Sequence, residues 1–297
     1  MTSLTRRRFL SMSASAAALP AFAGPKVSAY WRGVALGAPA SMRLEGLSQA
    51  EADPIFAEVE RELLRLENIF SLYRPTSEIS RLNDAGRLEN PSAEFLEVLS
   101  LSAALHHASN GLFDPTVQPL WLARAFGRST QGPVGWSNLR FDTGRVTFKR
   151  PGMALTLNGI AQGLITDRIH GLLAARGLRN LLIDMGEIVA SGHRGGQTPW
   201  RVGIADPDGS LRLRVHLSDR ALATSATNGT VLDEATAQGH ILRPDGQRVA
   251  HRLVSISAPR AVIADGVSTA LCLCDQGERD ALLRNFPEAK LEAAITL

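Results

Sequence analysis

Cysteine is nearly absent, with only Cys272 and Cys274 in 297 residues, which excludes a disulfide framework. The two lie two positions apart in an apolar helical pattern, a spacing at which side chains do not face each other. They read as small core residues rather than as a disulfide or a metal pair. No apolar run is long enough to span a bilayer, and no internal repeat or low-complexity tract is visible. An excess of one charge is missing too. The formal +3 is carried by Arg6, Arg7 and Arg8, and without the first 23 residues basic and acidic side chains number 29 each. That balance excludes the broad basic footprint of a nucleic-acid binder. The hydrophobic share of 44% argues against disorder and supplies one large core or two modest ones.

The N-terminus has a pattern of its own. Thr5-Arg6-Arg7-Arg8-Phe9-Leu10 precedes a small-residue apolar stretch that ends in Ala21-Phe22-Ala23-Gly24. This reads as a twin-arginine export peptide over residues 1–23 with an A-x-A cleavage site. The expected mature unit, residues 24–297, is one domain in the periplasm, and with no cysteine near the cleavage point neither a lipid anchor nor membrane insertion is expected. Export in the folded state allows a cofactor to be bound beforehand.

Periodicity gives the coarse fold. Residues 27–37 and 41–44 read as an opening hairpin. Ser48 starts a helix with Ile55, Phe56, Val59, Leu63, Leu66, Ile69 and Phe70 on one stripe, and Pro54 fits only in its first turn. A second helix runs from a cap at Ser92 to a stop at Gly111, with His106 and His107 serving its last turn. Residues 118–135 read as irregular, with Trp121, Gly127, Gly132 and Pro133, and could cover a pocket. Strands are expected at 139–148, 153–157, 180–184, 200–205, 211–217 and 253–258. Helices are expected at 159–176, 265–274 and 278–286. Without a regular βαβ rhythm this is an α+β fold on an antiparallel or mixed sheet with packed helices.

Three stretches could carry chemistry. In Leu155-Thr156-Leu157-Asn158-Gly159-Ile160-Ala161-Gln162-Gly163 a strand meets a glycine-containing turn that opens a helix, suited to an anion; close strand-to-helix packing explains the glycines equally well. Asp265 and Thr269, in Ala264-Asp265-Gly266-Val267-Ser268-Thr269-Ala270, stand four apart on one helix face. A carboxylate and a hydroxyl so placed can ligate a hard cation such as Mg²⁺, while the plain alternative is an N-capping Asp and a buried Thr. The third is an isolated His240 in Gly239-His240-Ile241-Leu242.

Taken in order, FSLYRPTSEISRLN (70–83), GLFDPTVQPL (111–120), LTLNGIAQGLITD (155–167), LIDMGEIVASG (182–192), WRVGIADP (200–207), Ala223 to Ser225, 239–244 and 264–270 resemble the ApbE family of FAD:protein FMN transferases. With the export peptide, the NGIAQG wording is similar to the exported, NosX-like subgroup associated with nitrous oxide reductase maturation. The resemblance implies a T-fold-related architecture. It implies Mg²⁺ held by the backbone carbonyl of Ala161, the Asp265 carboxylate and the Thr269 hydroxyl. It places FAD against Tyr73, Ser77, Asn83, Asp114, Thr116, Asn158, Gln162, Glu187, Thr224 and Ser225, and His240 near the reacting groups. The acceptor is then a threonine in a D-x-x-[ST]-G-A-T-like motif. This chain has no such motif, so the partner is another polypeptide, such as the periplasmic part of a NosR-type electron-transfer protein. His240 is the candidate base because an ordinary imidazole titrates near operating pH; Asp265 is its rival.

The chain departs from the family at three positions. Asn158 stands for an Asp, Gln162 for a Lys, and Arg243 for the Asp of the HxxDPxTG wording. Losing the Lys removes a cation beside the pyrophosphate, which either a nearby arginine such as Arg243 replaces or a heavier reliance on the metal offsets. Two other readings share the site: metal-dependent hydrolysis of FAD to FMN and AMP, and flavin binding with little catalysis.

Overall fold

The computed structural model describes residues 27–128, 132–233 and 238–297; the expected export peptide lies outside them. In chain order the elements are β1 (Ser28–Ala35), β2 (Ala38–Glu45), α1 (Gln49–Phe70), α2 (Glu78–Ala85), β3 (Arg87–Glu89), α3 (Ala93–Ala108), α4 (Gln118–Ala125), β4 (Leu139–Phe141), β5 (Arg145–Phe148), α5 (Ala161–Ala175), β6 (Leu181–Asp184), β7 (Ile188–Ser191), β8 (Trp200–Ala205), β9 (Leu211–Leu217), β10 (Arg220–Ala226), β11 (Val231–Asp233), β12 (Gln238–Gly239), β13 (His251–Ala258), α6 (Ala261–Leu273), α7 (Gln276–Asn285) and β14 (Lys290–Thr296).

Seven strands form one sheet in the order β1-β2-β6-β7-β10-β13-β14, and every neighbouring pair is antiparallel. The fold is α+β, as expected. Alternate residues sort to two cores. Ile183, Ala221, Ala223, Val254 and Ile256 join the helical core with α1, α5 and α6. Leu182, Ile188, Leu222 and Leu253 join a smaller core closed by Trp200, Val202, Ile204, Val215 and Leu217 of the β8–β9 hairpin. Burial on both faces explains the unbroken apolar run of β6. Among the described residues no helix is long and apolar enough to cross a membrane. Both cysteines are free and buried.

The opening hairpin turns through Leu36 and Gly37, at φ 48° and 85°, the left-handed pair that a two-residue turn requires. Ser48 and Glu51 form a reciprocal capping box on α1, and this cap with the buried stripe behind it carries the helix through Pro54. Pro54 thus sits in the second turn, not the first, and gives no N–H to the carbonyl of Ala50.

Other expectations need correction. The 118–135 stretch begins with eight helical residues, α4. The 139–148 strand is a hairpin, β4 with β5. Residues 153–157 are extended but join no sheet. There the Asn83 side-chain amide takes the strand partner's place: its Nδ2 donates to the Leu155 carbonyl at 2.8 Å, and the Leu155 N–H donates to its Oδ1 at 2.7 Å. Pro115 accepts the Thr156 N–H at 2.9 Å.

Candidate functional site

The extended 153–157 segment delivers the chain to the start of α5, which packs on α6. Two glycines make this contact close. A Cβ on Gly163 would lie 2.5 Å from the Ala261 carbonyl oxygen, and one on Gly159 would lie 2.8 Å from Thr269 Cγ2. Neither end that meets here is capped by the residue before it. Instead, the Gly163 N–H donates to Asp265 Oδ2 at 2.9 Å, while the N–H groups of Ala261 and Val262 donate to Asp167 at 2.7 and 3.2 Å. Asp265 therefore does not cap its own helix, which begins at Ala261 rather than at 265; it satisfies an orphan donor of α5. The glycines serve this packing, and the packing sets Thr269 and Asp265 beside the turn that holds Ala161.

This junction is electrostatically unbalanced. Burial, then the Asp167 charge, pushes the Asp265 carboxyl up to about 7. Glu187 is buried, accepts an N–H from Thr224, and is raised well above the usual carboxylate range by burial and by the charges of Asp265 and Asp184. Its Oε2 has no hydrogen-bond partner among the described residues. Burial also lifts Asp184, to about 6, against a hydrogen bond from the Gly186 N–H. Thr269 and Ser225 hydroxyls are 3.1 Å apart, and Ser225 also meets Ser268 at 2.8 Å. Oxygen donors around under-compensated carboxyls are what a hard divalent cation needs. No three His, Cys, Asp or Glu side chains among the described residues form a cation-holding group, so a cation here would draw on hydroxyl, carbonyl and ligand oxygens as well.

Above the junction lies a cleft. Its lining is mixed, with the apolar side chains of Leu36, Phe113, Trp121, Leu242 and Leu273 and the polar ones of Asn158, Gln162, Glu187, Thr224, Ser225 and Asp265. Asp114, His240 and Thr269 also line it. Gln162 Nε2 donates to the Met185 carbonyl at 2.6 Å, folded over Gly186, whose φ of 92° and lack of a Cβ permit that approach. The His240 Nδ1 accepts the Thr230 N–H at 3.3 Å. His240 keeps some contact with the cleft, yet its ring is surrounded by protein, and this burial lowers it to about 4. The expectation of an imidazole titrating near neutral pH is corrected: the ring is neutral throughout that range.

Other predicted residues brace the cleft through hydrogen bonds. Asp114 accepts the N–H and hydroxyl of Thr116 at 2.8 and 2.6 Å and the Trp136 N–H at 3.0 Å. Thr116, fully buried, accepts the Gly135 N–H at 2.7 Å. Ser77 caps α2 and donates to the Ser71 carbonyl at 2.6 Å, and Asn83 braces 153–157 as described. Tyr73 is exposed, on the loop that Arg74 ties to Glu67 at 2.5 Å. Glu67 in turn accepts the N–H of Leu36, at the cleft wall, at 3.0 Å. The Arg243 guanidinium, a candidate to replace the family Lys, is engaged within the protein. It pairs with Asp245 at 2.8 Å and donates to the Leu273 carbonyl at 2.8 Å, closing the C-terminal end of α6. His106 bonds the Phe113 carbonyl at 2.9 Å and stacks on Trp136. Sequence reasoning missed Leu36, Ala38 and Leu273 in the lining; Phe113 and Leu242 fall within stretches it singled out, and Trp121 stood out as an aromatic in a stretch rich in Gly and Pro.

The chain compares with known proteins as follows. A FAD:protein FMN transferase of Klebsiella pneumoniae (strain 342) is 24% identical over 290 residues, covering 88% of this chain and 80% of that protein. One from Haemophilus influenzae is 27% identical over 268 residues, covering 80% and 77%. The solved structure of the flavin transferase ApbE from Vibrio cholerae superposes with a TM-score of 0.77 at 21% identity, covering 91% of this chain and 98% of that one, a likeness of fold. The model of the ApbE family matches residues 36–295. The chain belongs to the ApbE family and is an enzyme of the transferase class.

Proposed function

We propose that this chain is a FAD:protein FMN transferase that attaches FMN through a phosphoester to a threonine of an exported electron-transfer protein and releases AMP. The carrying observation is the α5–α6 junction, where under-compensated carboxyls and hydroxyls line a cleft together with apolar side chains. The relatives bearing that activity match most of this chain.

Asp265, Thr269 and the Ala161 carbonyl would hold Mg²⁺, which neutralises charge on a pyrophosphate when bound. Asn158, Gln162, Thr224 and Ser225 then supply polar contacts to the dinucleotide, and Phe113 and Trp121 an apolar surface for its flavin. The acceptor hydroxyl oxygen bonds to the FMN-side phosphorus, the bond from that phosphorus to the bridging oxygen breaks, and AMP departs with that oxygen. The hydroxyl proton passes to His240, neutral and at the cleft, or to Asp265. Export by the twin-arginine route would place the reaction in the periplasm, with a NosR-type protein as one acceptor.

Mature protein incubated with FAD, Mg²⁺ and a domain bearing the D-x-x-[ST]-G-A-T motif should add one FMN to that domain by intact mass, with matching AMP. AMP and free FMN without an adduct would show hydrolysis instead; bound FAD with no AMP would show a flavin-binding protein.

A further inference from the structure

The exposed edge of the large sheet leads into the cleft. β1 is the outermost strand and pairs only with β2. The two-residue turn makes Ala35 and Ala38 the closing hydrogen-bonded pair, so alternate residues back along β1, including Val34, Arg32 and Tyr30, aim their N–H and C=O groups away from β2. The bond from the Gly46 N–H to the Val27 carbonyl, 2.8 Å, fits that register.

The outward groups are treated unequally. At Tyr30 the Gln49 side chain occupies both: the N–H donates to its Oε1 at 3.0 Å, and its Nε2 donates to the carbonyl at 3.1 Å. Past the other end, Glu67 holds the Leu36 N–H. Between these stops, the outward backbone groups of Arg32 and Val34 have no partner among the described residues. Unprotected edges are normally blunted because they pair with other chains. Here the face beside the open stretch carries Tyr30 at 54% and Val34 at 58% exposure, with Arg32 exposed between them. The open stretch adjoins the hairpin tip, where Leu36 and Ala38 line the cleft.

We infer that Arg32 to Ala35 is the docking edge for the protein acceptor, which adds an extended segment to β1 and so leads its hydroxyl residue into the cleft. The inference rests on the transferase reading above. Leu36 stands two positions on from Val34, roughly 7 Å at strand rise, so a residue about two positions beyond the paired one reaches the cleft. Main-chain pairing suits an enzyme whose second substrate is a polypeptide, since it needs an extended segment more than a particular sequence. Tyr30 and Val34 offer apolar contact, and Arg32 offers its charge to an acidic side chain of the acceptor. A second copy of this chain could pair with the same edge; the experiment separates the two.

The test is Val34→Pro, which deletes an outward N–H while sparing the β2 ladder, at an edge position where proline is tolerated. With FAD, Mg²⁺ and the motif-bearing acceptor domain, KM for the acceptor should rise at least tenfold. FAD affinity by titration and the melting temperature should hold. Independently of that substitution, hydrogen exchange at residues 28–35 of the unaltered enzyme should slow when the acceptor domain is added. An unchanged acceptor KM with no slowing overturns the inference. So does a change in solution mass of the Val34→Pro protein at unchanged acceptor KM, which would assign the edge to a second copy. If the unaltered enzyme transfers no FMN, the proposed function falls first and this inference with it.

Discussion

Asp167 and Asp265 cap each other's helices: Asp167, on α5, receives the first N–H groups of α6, and Asp265, on α6, receives the Gly163 N–H of α5. The proposed cation ligand is therefore a structural joint as well, and two substitutions separate the roles. Asn at 265 keeps an oxygen for Gly163 and removes the charge. Asp265→Asn should lose the Mg²⁺-induced rise in melting temperature that ligand linkage gives the native protein, yet melt no lower than it in chelator. Asp265→Ala, which strands a buried N–H, should cost about 1–3 kcal/mol even without metal. Unfolding with and without Mg²⁺ reads both; equal metal shifts in native and Asn proteins would remove Asp265 from the cation site.

The glycines of the turn divide in the same way. Gly163→Ala drives a Cβ against the Ala261 backbone at 2.5 Å, where nothing yields without moving α6. A loss of about 1–3 kcal/mol is expected from overpacking. Gly159→Ala meets Thr269 Cγ2 at 2.8 Å and Oγ1 at 3.0 Å, side-chain atoms rather than backbone. Its stability should suffer less and its Mg²⁺ affinity more. Urea unfolding and a Mg²⁺ titration check the pair, and the reverse order would mean Thr269 takes no part in holding the ion.

His240 sets a pH signature. Its imidazole is lowered to about 4 in the folded protein, against an ordinary value near 6.5. As pH falls, the unfolded chain takes the proton first. The stability tied to a neutral His240 is thus complete above pH ~6.5 and lost between there and pH ~4. Replacing His240 by Ala should flatten that stretch of the stability curve. It should also slow transfer by ~10²–10⁴-fold with FAD still bound. Because the ring is neutral from pH 5.5 to 8, His240 itself should impose no rate step in that window.

The parts of the fold legible in the sequence were those whose signals are local. The Ser48 and Ser92 caps and the stripe from Ile55 to Phe70 each depend on neighbours within a turn or two, and the Asp265–Thr269 spacing exposed half of the candidate site. β10, Arg-Ala-Leu-Ala-Thr-Ser-Ala, has little strand character of its own. It is a strand because β7 and β13 pair with it and α6 packs on it, through contacts such as Ser225 to Ser268. Residues 153–157 show the converse, a strand-like pattern whose partner is the side chain of Asn83, which no periodicity can reveal. That Leu36 and Leu273 join Trp121 and Leu242 in the cleft was hidden, because the four come from distant segments.

Arg243 illustrates how a charge that looks available in sequence is spent on structure. Its guanidinium bridges Asp245 and the Leu273 carbonyl at the end of α6. Arg243→Ala should lower the melting temperature, with FAD affinity held within twofold. A fall in affinity at unchanged stability would restore the idea that it compensates for the missing lysine.

Gln162 is where that compensation can be supplied directly. Its amide already spans from α5 to the Met185 carbonyl, above Gly186, in a cleft that Glu187 and Asp265 also line. A lysine ammonium has three donors, so one can keep Met185 while the charge offsets the buried carboxyls and faces an incoming pyrophosphate. Gln162→Lys should bind FAD about tenfold tighter in chelator, since a cation would then stand where the metal-free cleft offers mainly acids. The gain should shrink at saturating Mg²⁺, because the two cations answer the same phosphate charge. Fluorescence titration of FAD under both conditions tests this. If the substitution tightens binding equally with and without Mg²⁺, the side chain at 162 and the metal act at separate places, and the pyrophosphate does not lie between α5 and α6.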